Sequence, residues 1–357
     1  MRYRLISGRE LLPDMVTRWQ ELQRGEPAMA SPYFHPEFTR CVAAVRNDVR
    51  IGIMEDNKRI MGFFPFQLKK GGIARPIGLG LSDYHGVIAD PQAQWSASEL
   101  MRGCKLIRWE FDHLPTSLSQ FSQYHSTLTD SPIIELSQGF ETFVASRDKS
   151  SRKLFREIQR KQEKLTANVG PVKFTLHSPD PANLEQLMAW KSEQCHRTGT
   201  VDFFAQAWCR QLIERIHATR TTDFGGLLSC LHVGDKLAAI HFSMYSSNVW
   251  HSWFPAYNND LEEYSPGLIL LFHIIKAAAA HDIKYIDLGK GISLYKKRVM
   301  TGSITVAEGT LTTPSINNKL LGLRKKTEEW SKQSFLRPLL RVPGRIIKDL
   351  ERKKRYE

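Results

Sequence analysis

The stretch "YSPGLILLFHIIKAAAAHDIKYIDLGKGISLYKKR", residues 264–298, gathers groups that do chemistry within a short span. Pro266 suits the first turn of a helix, where its missing N–H costs nothing, and Ser265 before it can cap. Gly267 removes a side chain where that helix end is open. Unpaired backbone N–H groups at the positive end of a helix dipole suit a pyrophosphate. "IKYIDLG" then reads as a strand that brings Asp287 to its C-terminal edge, followed by Gly289 and Gly291. In open α/β sheets that edge is where ligands gather. "ISLYKKR" reads as a short helix presenting Tyr295, Lys296, Lys297 and Arg298 beside it. The pattern suggests a phosphate-bearing donor held next to a reactive carbonyl.

Other phosphate and nucleophile signatures are absent: there is no GxGxxG, Walker loop, GxSxG or HExxH. Five scattered cysteines (Cys41, Cys104, Cys195, Cys209, Cys230) form no CxxC and no zinc spacing, so reduced thiols and no metal are expected. "MRYRLISGRELLPD" has no apolar run of the secretory type, and the longest apolar stretch, 267–280, is too short to span a bilayer. These features imply a cytoplasmic chain.

Elements able to position the candidate groups recur in order along the 357 residues, a length that implies two domains. "RYRLIS" reads as a strand, with helices from Pro13 to Gln23 and from Pro36 to Val45. "VRIGIMED" and "RIMGFFPFQL" then form a hairpin turning at Asp56-Asn57-Lys58. "VKFTLHS" begins the same order again, with helices over 181–196 and 205–218. "GGLLSCLHV" and "KLAAIHFSMY" make a second hairpin, and "NVWHSWFPAY" adds a strand. The expected organisation is α/β: two tandem domains over 1–145 and 169–315, each with a mixed central sheet flanked by helices. A basic linker helix spans 146–168 and a basic tail 316–357.

The formal charge of +13 is unevenly spread. Residues 318–357 hold 13 Lys/Arg against 5 Asp/Glu, and 147–165 hold 8 against 3. The linker helix reads either as a solvated face or as an electropositive wall for an anionic substrate. The tail mixes Trp330, Phe335 and Ile346-Ile347 with cations, which suits contact with an anionic membrane. Nucleic acid is not an expected partner, because no recognition module accompanies the charge.

At "WKSEQCHRTG" (190–199), "KLAAIHF" (236–242), "YSPGLILL" (264–271), "IDLGKGISLYKKR" (286–298), "GFFPFQ" (62–67) and "SDYHG" (82–86) the chain resembles the CelD-type branch of the GNAT acyltransferases. That branch serves bacterial cellulose and exopolysaccharide biosynthesis and is related to the Fem-type aminoacyl transferases. The resemblance spans about residues 30–310. It implies paired GNAT-like domains and an acyl-CoA donor, acetyl-CoA or another, whose pyrophosphate lies on Tyr264, Ser265, Pro266, Gly267 and Leu268. The fuller glycine-rich loop of the superfamily is missing from this chain. The implied reaction is direct attack of an amine or hydroxyl on the thioester. Asp287 is then the first candidate for base or substrate anchor, with His251 and His241 as rivals, and Tyr295 the partner of the leaving thiolate.

Lys296 and Lys297 could grip an anionic acceptor, such as a nucleotide sugar or lipid-linked glycan. Lys191, Gln194 and Arg197 share a helical face that could reach it. Trp250 and Trp253 lie on opposite faces of one strand, so only one, taken to be Trp253, lines a sugar platform. Asp83, Tyr84 and His85, packed between glycine-rich turns, are expected to face the second domain and complete the acceptor cleft. Alternative readings are a Fem-type transferase using aminoacyl-tRNA and a non-catalytic scaffold of a polysaccharide synthase.

Overall fold

Proline needs no N–H partner in a first turn, and several of the long helices begin on one. The computed structural model describes residues 1–313. Its first half runs β1 (Arg2–Ser7), α1 (Pro13–Arg24), α2 (Pro36–Val45), β2 (Val49–Asp56), β3 (Arg59–Lys69), β4 (Ile73–Arg75), β5 (Ile88–Ala89), α3 (Ala97–Gly103), β6 (Arg108–Pro115), β7 (His125–Glu135) and α4 (Gly139–Ala145). The helix α5 (Lys149–Asn168) leads into β8 (Val172–Thr175), α6 (Pro181–Thr198), α7 (Ala207–Ala218), β9 (Phe224–Val233), β10 (Lys236–Ser246) and β11 (Val249–Tyr257). The last elements are α8 (Pro266–Ala280), β12 (Tyr285–Asp287), α9 (Leu294–Val299) and β13 (Gly302–Thr312). The tail expected over 316–357 lies outside the described residues.

The doubled order of strand, two helices and hairpin is present. Asn57 and Lys58 take positive φ values of 46° and 68°, closing the first hairpin with the backbone that a two-residue turn demands. Asp148 caps α5 through Ser151 N at 2.7 Å, and Asp180 caps α6 through Ala182 N at 2.9 Å. Ser265 does not cap α8, contrary to its sequence reading. It sits in left-handed backbone (φ 54°), and its hydroxyl accepts from Lys161 Nζ at 2.6 Å instead.

The strands form one mixed sheet ordered β1-β2-β3-β4-β6-β13-β7-β12-β11-β10-β9-β8, with β5 on β3, and helices flank it. Its halves interlock. β13, from the end of the described chain, inserts between β6 and β7, while β7, from the first half, pairs with β12 of the second. Helices α1, α2, α6 and α7 share one core in which Trp19, Phe38 and Val42 meet Leu187, Leu212 and Ile213 across the two halves. In a second core α8 buries Ile269, Leu270, Ile274 and Ile275 with Phe155 and Ile158 of α5. Each such side chain contributes roughly 1.5–3 kcal/mol on burial. The elements around the centre of the sheet are thereby held in place. Among the described residues no helix is long and apolar enough to cross a membrane.

Candidate active site

Two parallel strands that pair over a short length and then part leave a gap in a sheet. Strands β11 and β12 do this: Val249, Trp250 and His251 face Tyr285, Ile286 and Asp287. Beyond that rung the chain after Asp287 follows β7, with Leu288 N on Pro132 O and Gly291 N on Asp130 O, while β11 stays with β10. Trp253 is the extra residue of a β-bulge there, since Ser252 faces Ser243 and Phe254 faces Phe242.

Two cavities meet at this gap. One, of about 480 Å³, runs along Ser265, Pro266, Gly267 and Leu268 at the start of α8, with Tyr257, Gln194, Arg197 and His241 around it. The other, of about 370 Å³, is polar and includes Asp83, His113, Trp253, Gly289, Lys290 and Lys296 in its wall. Ser252, Pro255 and Tyr295 line both. We call them the donor cleft and the acceptor pocket, after the roles proposed for them below.

In the donor cleft the amides of Ser265 and Leu268 are spent on Glu262 O and Ser265 O. The Gly267 N–H is left for a ligand, because the first N–H groups of a helix have no partner within it. A Cβ at Gly267 would only touch the Tyr257 ring, at 3.4 Å, so glycine keeps this helix start open without being required by packing. Lys161 reaches this corner from the basic helix α5. Arg197 adds a second cation at the wall. Tyr264 is buried and lines neither cavity, its hydroxyl accepting from Asn168. Gln194 and Arg197 stand at the donor cleft rather than at the acceptor, because α6 packs beside β11 and β10. Lys191 lines neither cavity and bonds Gln194 at 2.8 Å. Burial lowers its pKa.

Asp287, the first sequence candidate for a base, is almost wholly buried and lines neither cavity. Its carboxylate accepts from Tyr84 O–H at 2.6 Å, Ser131 O–H at 2.7 Å and Gly289 N–H at 2.8 Å. Two of these donors come from the first half: Ser131 on the exchanged strand β7, and Tyr84 from the loop before β5. Asp287 is an anchor in this geometry, not a group presented to a substrate. An Asp287→Asn variant turns an N–H₂ toward at least one of those donors, so we expect a loss of about 2 kcal/mol, read as a lower urea midpoint at unchanged m.

His251, also buried, stands between Asp287 Oδ1, 3.7 Å from its Nδ1, and Asp83 Oδ2, 2.9 Å from its Nε2. Asp83 is the group that faces the pocket. Burial alone would raise its pKa, but the hydrogen bond and charge of His251, with His113 and Lys296, hold it below the usual carboxylate value. Its neighbours in "SDYHG" turn inward. Burial and the Asp287 charge raise the Tyr84 phenol well above its usual value, and His85 Nε2 accepts the backbone N–H groups of Asp112 and His113. Burial pushes His85 down to about 3. Neither residue lines the acceptor pocket.

His241 lines the donor cleft, with Nε2 2.8 Å from Ser252 Oγ. Burial, helped by Lys191, drives its pKa down to about 3, so it is neutral at working pH. Trp250 is core, and Trp253 is the tryptophan that lines the acceptor pocket, its indole N–H held by Leu81 O at 3.0 Å. Burial raises the Tyr295 phenol and lowers Lys296, whose ammonium is tied to Gly289 O at 2.9 Å. Lys297 is exposed and outside both cavities. Among the described residues no group of His, Cys, Asp and Glu is placed to hold a metal ion.

The sequence reading did not single out His113, Ser252, Lys290, Ser131 or Lys161. His113 lies within the segment "RWEFDHLP", a strand signal with nothing to mark its polar pair Asp112-His113. Lys161 could be found only as one cation among many on α5.

The site thus joins a helix start, a splayed strand pair and a polar pocket beyond the splay in an α/β fold. Residues 152–297 match the family model described as Acetyltransferase (GNAT) domain, so the chain carries an acyltransferase domain of the GNAT type. Among solved structures, FemX is similar at 10% identity over 90% of this chain and 99% of that one, with a TM-score of 0.55. The C-terminal DUF2156 domain of an Agrobacterium fabrum protein named for lysylphosphatidylglycerol synthetase is similar at 12% identity over 87% and 95%, with a TM-score of 0.54. These likenesses extend over both halves and concern the fold. No curated protein matches the chain by sequence.

Proposed function

We propose that the chain transfers an acyl group from an acyl-CoA, acetyl-CoA first among them, directly to an acceptor amine or hydroxyl held beside Asp83. The carrying observation is the meeting of the two cavities at Ser252, Pro255 and Tyr295. On this reading the Gly267 N–H, Lys161 and Arg197 bind the donor's diphosphate. Main-chain groups of β11 past His251, unpaired on the β12 side, take the pantetheine arm as an added strand. Asp83, oriented by His251, accepts the acceptor's proton as it attacks the thioester. Tyr295, kept protonated by burial, gives its proton to the leaving thiolate.

Tyr295→Phe is expected to lower kcat by about 100-fold while the acetyl-CoA Kd moves less than about twofold. Equal losses in both would move Tyr295 from chemistry to structure. Mass spectrometry of thioester ligands retained by the purified protein tests the donor: a bound CoA species is expected.

For the acceptor we propose a sugar or polysaccharide precursor, as the CelD-type resemblance suggests, stacked on Trp253. The likeness to FemX supports a second reading, aminoacyl transfer from charged tRNA. Activity abolished by ribonuclease would favour it. A scaffold without catalysis would retain no acyl-CoA and co-purify with a membrane synthase. The basic tail at 316–357 we read as contacting an anionic membrane face, which salt-sensitive co-sedimentation with anionic vesicles would test.

A further inference from the structure

We infer that His113 and Asp112 carry the acceptor's proton from Asp83 out to solvent. The inference rests on the acyl transfer proposed above and concerns a step that the base alone leaves open, namely where the proton goes next. Asp83 lies between two imidazoles. Its Oδ2 takes the bond from His251 Nε2 at 2.9 Å, and its Oδ1 is 3.4 Å from His113 Nε2. The other His113 nitrogen, Nδ1, is 3.1 Å from Asp112 Oδ1. The Asp112 side chain is 37% exposed, so the row ends at water. On the inner side the row ends at Asp287, saturated by its own donors, and no proton can leave that way.

The backbone holds the outer pair in place. The N–H groups of Asp112 and His113 both donate to the buried Nε2 of His85. Lys290 donates to Asp112 O at 2.8 Å and lines the same pocket. Burial would raise the Asp112 carboxyl, but the hydrogen bond from His113 and the charges of His85, His113 and Lys290 hold it well below its usual value. A proton arriving there passes on to water rather than staying.

The hand-off balances. The acceptor's N–H or O–H bond breaks as its lone pair forms the bond to the acyl carbon, and the proton joins Asp83 Oδ1. The carboxylic acid then gives this proton to His113 Nε2 while the proton on Nδ1 moves to Asp112 Oδ1 and into solvent. Water in the open pocket restores the starting tautomer after the product leaves. Asp83 is a carboxylate again for the next turnover, and Tyr295 regains from water the proton it gave to the thiolate, so one proton leaves to solvent and one returns.

Nitrogen-15 spectra of the full chain labelled at histidine, with His113→Asn used to assign the signal, read the resting tautomer. The relay requires the proton on Nδ1 of His113, and a resting proton on Nε2 would overturn it. Turnover is followed as CoA release from acetyl-CoA with hydroxylamine as the acceptor. His113→Ala should lower kcat about 30-fold, below the range of a directly acting base. Added imidazole should restore a good part of the rate, with the acetyl-CoA Kd unchanged. A kcat within about twofold of wild type, or a loss that imidazole does not lift, would sink the relay alone. A wild-type protein that fails to bind acetyl-CoA would instead sink acyl transfer itself. If His113→Ala does not fold, the wild-type tautomer still decides.

Discussion

Gly267→Asp should weaken acetyl-CoA binding by at least about 100-fold, which corresponds to about 3 kcal/mol. Two effects act together. A Cβ at this position touches the Tyr257 ring at 3.4 Å and adds bulk, and because Gly267 lines the cleft the new carboxylate stands in it. There it competes for the Gly267 N–H, Lys161 and Arg197, the groups proposed to hold the donor's diphosphate, and like charges set against each other in a binding site cost several kcal/mol. Gly267→Ala separates the two effects: it adds bulk without charge and should cost less than about tenfold. Isothermal titration of both variants with acetyl-CoA reads the difference. An Asp variant that binds as well as wild type would remove the start of α8 from the donor site.

Asp83→Asn should leave acetyl-CoA binding within about twofold and lower kcat by about 1,000-fold, within the usual span for removal of a general base. The amide keeps the size of the side chain and can still accept from His251, so the wall of the pocket survives. What it loses is the ability to take a proton. The alternative base, Asp287, makes the comparison sharp. Asp287→Asn should cost stability first, because its three donors are satisfied within the protein. If turnover collapsed in Asp287→Asn at unchanged stability, and Asp83→Asn were nearly active, base and anchor would have to change places.

Much of the fold was legible because it depends on local rules. Pro36 sets the start of α2, and α2 ends at Val45 as its pattern indicates. The Asp56–Arg59 turn and the repeated strand-helix-helix-hairpin order follow from short-range signals. The exchange of β7 and β13 was not legible. Nothing in "GSITVAEGTLT" states that it will lie between two strands of the first half, since pairing partners far apart in sequence are chosen by the whole sheet.

The site divides along the same line. The polar loop at 82–86 pointed to Asp83, yet loop density could not tell which of its side chains turn outward. Tyr84 points to Asp287, and His85 accepts from the β6 backbone at Asp112 and His113. Helical spacing put Gln194 and Arg197 on one face, but the placement of α6 beside β11 made that face part of the donor cleft. Asp287 looked free at a strand end, because its donors Tyr84 and Ser131 arrive from the other half of the chain.

Whether the start of α8 holds the donor is decided by a crystal structure with acetyl-CoA bound. Diphosphate oxygens should lie within hydrogen-bond distance of Gly267 N, with a cation from Lys161 or Arg197 beside them and the thioester lodged between Ser252 and Tyr295. The coenzyme bound elsewhere, or with its diphosphate away from the start of α8, would contradict the proposed chemistry.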